Sequence, residues 1–249
     1  MSGTVVLRLR DVSKTFGAHY ALRGFDLDLV EGEFLTLIGP SGCGKSTALR
    51  LIAGLTRPSG GEISRAQGAA APIGFVFQQP TLMPWANVQA NVFLPLRLAG
   101  VPWRTARIRV REALDRVGLA DRAQAYPAEL SGGMAMRVSI ARALVRAPRL
   151  LLLDEPFAAL DEITRSRLND DLARLARETG ASVVFVTHSL FESVSLSSRV
   201  VVMSRAPGRA LESIAIDAPQ PRDASFRLSP LFSLYARRLS EALQRAEAA

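Results

Sequence analysis

Gly39-Pro40-Ser41-Gly42-Cys43-Gly44-Lys45-Ser46-Thr47 lies between a continuous apolar run at 34–38 and a helical pattern that starts at Lys45. It matches G-x-x-x-x-G-K-[ST] in the strand-then-helix context that this pattern requires. Glycines let backbone N–H groups turn inward around phosphate oxygens, and the helix N-terminus adds its dipole. Lys45 neutralises β- and γ-phosphates, and the Ser46 hydroxyl ligates Mg²⁺. The loop from Gly39 to Thr47 therefore reads as a nucleotide site. Cys43 stands in it near a helix N-terminus, a setting that lowers a thiol pKa, so a reactive cysteine is expected.

A second feature supplies the partner. Leu150-Leu151-Leu152-Leu153-Asp154-Glu155 is a buried strand that ends in two acids. A carboxylate there reaches the Mg²⁺ shell of a neighbouring phosphate loop, which assigns Asp154 to the metal. Glu155 is placed to polarise an attacking water as general base.

The rest of the chain supports a sheet built around these two strands. Residues 5–9 and 25–29 alternate like half-buried strands, and Glu31-Gly32-Glu33 reads as a turn. Runs at 73–77, 183–186 and 200–203 are continuously apolar, as strands buried on both faces are. Helical patterns cover 45 to about 55 and 162–178. The stretch 87–147 differs, with helices at 105–117, stopped by Gly118, and at 131–147, ended by Pro148. A linker at 218–221 precedes a helix starting near Ser229-Pro230, with Leu231, Leu234, Leu239 and Leu243 on one face. The expected organisation is one α/β domain over 1–249. Residues 1–86 and 148–215 form its sheet core, 87–147 a helical subdomain, and 216–249 a short helical extension.

Composition bounds the function. The chain has 249 residues, 48% of them hydrophobic, enough for a full core. One cysteine excludes an internal disulfide framework and any multi-cysteine metal site. The net charge is +8, and of 31 basic residues only Lys14 and Lys45 are lysine. The arginines are scattered, with no run longer than Arg237-Arg238, so no nucleic-acid surface is expected. The longest uncharged stretch, 66–96, is broken by Pro72, Pro80, Pro84 and Pro95 and is no membrane span. Met1-Ser2-Gly3-Thr4 lacks the build of a signal peptide, so a reducing, cytosolic setting is expected.

Tyr126-Pro127-Ala128-Glu129-Leu130-Ser131-Gly132-Gly133-Met134 resembles the signature motif of ATP-binding cassette (ABC) ATPases. Further elements follow the family's order. Phe16 before Gly17 is similar to the aromatic that stacks on adenine, and Gln78 to the Q-loop glutamine. Asp161 in Ala159-Leu160-Asp161 is similar to the D-loop, and His188 in Val186-Thr187-His188 to the switch histidine. The resemblance implies a P-loop NTPase cassette: a RecA-like mixed sheet core with an antiparallel β-subdomain and an inserted helical subdomain. It also implies ATP as ligand with Mg²⁺, a homodimer, and a second copy's Ser131, Gly132 and Gly133 gripping the γ-phosphate. Gln78 would contact Mg²⁺ and the attacking water, and His188 the γ-phosphate.

Met134 replaces the commonest glutamine of the signature, as it does in nitrate/sulfonate/taurine importer ATPases, which this chain resembles. Ala135-Met136 and Ser189 are further departures. Leu82-Met83-Pro84-Trp85 and Ala206-Pro207-Gly208-Arg209 also resemble that group, the first as part of a groove for a permease helix. Only 35 residues follow Ile214, so the regulatory domain of sugar importers is expected to be absent. The implied function is ATP hydrolysis on the cytoplasmic face of the inner membrane, driving import through separate permease subunits. A periplasmic solute-binding protein would be an indirect partner. Nitrate, sulfonate, taurine and a thiamine-precursor pyrimidine are all compatible solutes. The alternatives are a free cassette of a lipid- or lipoprotein-handling system and a soluble nucleic-acid-associated ABC ATPase.

Overall fold

The computed structural model describes residues 3–66 and 72–248; Met1, Ser2, residues 67–71 of the uncharged stretch and Ala249 lie outside them. The first half of the chain runs β1 (Val5–Phe16), β2 (His19–Val30), β3 (Phe34–Ile38), α1 (Lys45–Ile52), β4 (Gly60–Arg65), β5 (Ile73–Val76), α2 (Val88–Leu98) and α3 (Trp103–Arg116). It continues with α4 (Gly132–Leu144), β6 (Leu150–Asp154), α5 (Glu162–Thr179), β7 (Ser182–Val186), α6 (Leu190–Leu196), β8 (Arg199–Met203), β9 (Ala210–Ala215), α7 (Ala224–Arg227) and α8 (Pro230–Ala248). Two compact units emerge, Met1–Ala71 with Gly180–Ala249, and Pro72–Thr179.

In the first unit, β2-β1-β4 form an antiparallel sheet. Leu7 pairs with Leu29, Leu9 with Leu27 and Val12 with Phe25, all six buried, so one face of the ribbon is core. The opposite face is charged: Arg8 and Arg10 both bind Asp28, at 3.2 and 2.6 Å. That alternation is the period of two expected of a half-buried strand. The second sheet of this unit runs β7-β3-β8-β9, with β3 parallel to β7 and β8 and β9 antiparallel to β8. Every residue of β3 and β7 is buried, as the continuous apolar runs predict.

The C-terminal extension packs onto this sheet. Leu239, Ala242 and Ala246 of α8 join Val200, Val202 and Ile214 in one cluster, with Phe232, Tyr235, Ala236 and Leu243 packed against it. One expectation is corrected here: Leu234 is 59% exposed and does not belong to the buried face. The seated stripe instead runs 232, 235, 236, 239, 242, 243, 246, a 3.6-residue period filled partly by alanine. Arg222 fastens the segment ahead of it. Its guanidinium donates to the carbonyls of Val194 (2.7 Å), Ser197 (2.5 Å) and Ile216 (2.9 Å) from a buried position. Burial without a carboxylate partner pulls its pKa down to about 10.

In the second unit, β5 and β6 pair in parallel, Phe75 opposite Leu152 and Val76 opposite Leu153. Its helices bury Val88, Val92 and Leu96 of α2, Val110 and Leu114 of α3, and Met136, Val138 and Ile140 of α4. Met136 thus fills core volume where the commoner signature carries a glutamine. No helix among the described residues is long and apolar enough to cross a membrane.

Candidate functional site

The phosphate loop belongs to the first unit. β3 ends at Ile38, and α1 begins at Lys45 behind Gly44, whose φ of 96° only glycine adopts without strain. Space imposes glycine as well. A Cβ on Gly44 would stand 2.6 Å from the Ala21 carbonyl oxygen, and one on Gly39 would stand 2.8 Å from that of Met203. No side chain caps α1 and no acid stands in its first turn, so that end of the helix keeps its positive character. Lys45 is buried and donates to the Gly39 and Pro40 carbonyls at 2.8 and 2.9 Å. A cation held inside a ring of backbone at a positive helix end fits a polyphosphate.

Cys43 corrects the expectation of a reactive thiol. Its side chain is fully buried, and burial raises the thiol pKa. Lys45, with Nζ 3.8 Å from Sγ, pulls the other way and loses.

Phe16 closes β1 and is 56% exposed, so it is not core. Lys14 Nζ lies 5.0 Å from its ring centroid. His188 is exposed at the end of β7. Ser189 follows it and caps α6, its hydroxyl accepting from Glu192 N–H at 3.3 Å while its own N–H donates to Thr187 Oγ1 at 3.0 Å. Thr187 also donates to the Glu192 carboxylate. The serine that stands where an aspartate often follows the histidine therefore has a local task as an N-cap.

The second unit holds the remaining candidates. Asp154 is the last residue of β6 and is buried; Glu155 follows with φ 45°. A left-handed non-glycine residue costs about 1–2 kcal/mol, a strain found where a side chain must be aimed. Gln78 is exposed two residues beyond β5. Ser131 caps α4, accepting from Met134 N–H at 3.3 Å, with Gly132 exposed and Gly133 buried behind it. Asp161 caps α5 through Thr164 N–H at 3.0 Å, and that bond holds its carboxyl below the usual carboxylate range. Asp154 and Gln78 of this unit, like Ser46 of the phosphate loop, carry hard oxygen donors, the kind that suits Mg²⁺.

Two residues of this unit escaped the sequence reading. Arg142 of α4 donates to Pro80 O (2.7 Å), Thr81 O (2.8 Å) and Thr81 Oγ1 (2.9 Å), so the signature helix holds the segment just after Gln78. Its burial lowers its pKa. Asn91 is fully buried and accepts from Met83 N–H at 2.7 Å. It also donates toward the carbonyls of Met83, Ala86 and Asn87. That fixes the loop on which Trp85 stands 77% exposed. Neither is apolar, so no hydrophobic pattern marks it; each acts through contacts that only the fold creates.

An ABC transporter family model matches residues 22–158. Over 222 residues the chain is 48% identical to the aliphatic sulfonates import ATP-binding protein SsuB 1 of Xanthomonas axonopodis pv. citri (strain 306), covering 87% of this chain and 88% of that one. It is 45% identical over 223 residues to the aliphatic sulfonates import ATP-binding protein SsuB 2 of Pseudomonas syringae pv. syringae (strain B728a), covering 90% and 77%. Among solved structures it is similar to the dimeric, post-hydrolysis ATP-binding cassette MJ0796 bound to ADP and Pi. There the TM-score is 0.75 and the identity 33%, covering 86% of this chain and 100% of that chain.

Proposed function

The chain belongs to the ABC transporter family, and on that premise we propose that it is the ATP-hydrolysing subunit of an importer for aliphatic sulfonates. It works as a homodimer, peripheral on the cytoplasmic face of the membrane, beneath separate permease subunits that take solute from a periplasmic binding protein. The single observation that carries the ATPase reading is the phosphate loop with Lys45 held inside it. The sulfonate reading is supported by the names and coverage of the relatives.

The residues divide the chemistry as follows. The loop amides and Lys45 hold the β- and γ-phosphates, and Phe16 stacks on the base. Ser46, Asp154 and Gln78 would hold Mg²⁺, which would supply positive charge against the phosphates. Glu155 takes the proton of the attacking water, and His188 donates to the γ-phosphate. Ser131 and the Gly132 and Gly133 amides of the second copy close on the same phosphate with the positive end of α4. Asp161 orders the loop at the start of α5. ATP binding closes the pair and hydrolysis reopens it, which turns chemistry into alternating access. Trp85, presented by the Asn91-pinned loop, is an apolar contact for the permease.

Reconstitution with the permease tests this. Uptake of an alkanesulfonate into proteoliposomes should need MgATP and this chain, and Lys45→Ala should abolish it. Trp85→Ala should spare hydrolysis by the isolated chain and break co-purification with the permease. ATP-dependent uptake of nitrate without uptake of sulfonate would overturn the solute assignment.

A further inference from the structure

Ala206-Pro207-Gly208-Arg209, the turn between β8 and β9, has no part in the chemistry above. We propose that this turn is a strap, and that Gly208 is a positioning residue which sets the direction of a phosphate-binding amide in the loop below it. The inference rests on the nucleotide reading of that loop and adds a residue outside it.

The geometry is that of a wedge. A Cβ on Gly208 would fall inside the radius of the Cys43 carbonyl oxygen, and would stand 3.1 Å from both the Cys43 carbonyl carbon and Leu22 Cδ2. Gly208 is not among the residues of positive φ, so space and not backbone conformation demands a glycine. The obstacle is backbone, which cannot swing aside as a flexible side chain would.

The strap is held from both ends. Gly208 N–H donates to Ala21 O at 3.0 Å, and Arg23 N–H donates to Gly208 O at 3.2 Å, which fixes it to β2. The same Ala21 carbonyl is the one that Gly44 approaches from the phosphate loop. Ser204, buried at the other end, accepts from Arg209 N–H at 2.9 Å, and its N–H donates to Arg209 O at 3.0 Å. Gly208 thus has nowhere to retreat, and Cys43 is what must move if it grows.

Cys43 O and Gly44 N–H belong to one peptide plane, so the direction of the carbonyl dictates the direction of the amide. Seating the carbonyl under Gly208 aims the Gly44 N–H into the loop. A side chain on Gly208 would turn that plane and misaim a donor whose value depends on being set before the phosphate arrives. Binding suffers first; the water-activating Glu155 stands elsewhere in the chain.

The test is calorimetric binding of MgATP and of Mg-tripolyphosphate, which has phosphates and no base. Gly208→Ala should weaken both ligands by the same factor, roughly tenfold or more, with kcat at saturating ATP within about threefold of wild type. Phe16→Ala should weaken MgATP and leave tripolyphosphate unchanged. Ser204→Ala loosens the strap without adding an atom, and should weaken both ligands about two- to fivefold. It carries the test if Gly208→Ala does not fold. Unchanged affinities in the folded variants, or a lower melting temperature as their only defect, overturn the strap while the nucleotide reading stands. Weakening of MgATP alone would overturn it too, by placing the effect at the base. A wild-type chain that binds neither ligand would overturn the nucleotide reading as well.

Discussion

Gly133 and Thr164 are in direct contact: a Cβ on Gly133 would stand 2.6 Å from Thr164 Cγ2. The first turn of α4 is therefore seated on the start of α5 with nothing between them. Thr164 is itself fixed, because its N–H donates to Asp161 Oδ1 and a β-branched side chain has little rotamer freedom. One contact thus joins two elements that the sequence offered as separate motifs.

Gly133→Ala should accordingly lift the N-terminus of α4 off α5. Overpacking of this kind costs about 1–3 kcal/mol, and ATP turnover should fall roughly tenfold or more as the amide at 133 moves. Thr164→Ser removes Cγ2 and keeps the hydroxyl, so the double variant should regain most of both. Steady-state hydrolysis and urea unfolding of the four proteins measure it. A double variant no better than Gly133→Ala would place the defect elsewhere.

Glu155→Gln should lose about 10²–10⁴-fold in rate, the usual loss for a missing general base, with ATP affinity little changed. It should accumulate as an ATP-bound homodimer, because opening needs hydrolysis. Lys45→Ala should bind ATP poorly and stay monomeric, since its defect precedes closure. Light scattering with and without MgATP separates the two. Normal hydrolysis by a monomeric Glu155→Gln protein would sink the assignment.

The buried Cys43 thiol, pushed up in pKa, should be nearly inert to maleimide in the native protein at neutral pH. Labelling in guanidinium should be at least about a hundredfold faster, since reaction must wait for the loop to open. Mass spectrometry over a time course reads both rates. Fast native labelling with parallel loss of hydrolysis would restore the picture of an activated thiolate.

Asp28 gives the acid limb of stability a sign. The Arg10 and Arg8 guanidiniums hold its carboxyl below the usual carboxylate range, Arg10 more strongly. Its contribution is therefore present above that range and lost as pH falls through the lowered value. Asp28→Asn should be less stable than wild type at pH 7, and the two urea midpoints should converge below about pH 4. A gap that widens on acidification would contradict the pairing.

How much of this was legible depends on what each residue answers to. β3, β6, β7 and β8 announce themselves because a strand buried on both faces must be continuously apolar. The phosphate loop is legible because its glycines, lysine and serine answer to a ligand and to backbone angles. By contrast, α6 reads Leu190-Phe191-Glu192-Ser193-Val194-Ser195-Leu196, and its serines favour turns until Ser189 caps it and the core covers it. β9 is an edge strand with only Ile214 buried, too weak a pattern to notice. For Cys43, helix position suggested one sign and burial imposed the other, and depth of burial is a property of the whole fold.

Arg222 has a consequence for how such chains can be rebuilt. Three carbonyls, from α6, the residue after it and the residue after β9, share one guanidinium that arrives from the C-terminal side. A hybrid made by exchanging tails between relatives would inherit three acceptors and must bring its own arginine at the matching distance. The last thirty residues are thus not an interchangeable handle, and a graft point chosen beyond Arg222 leaves the clamp whole.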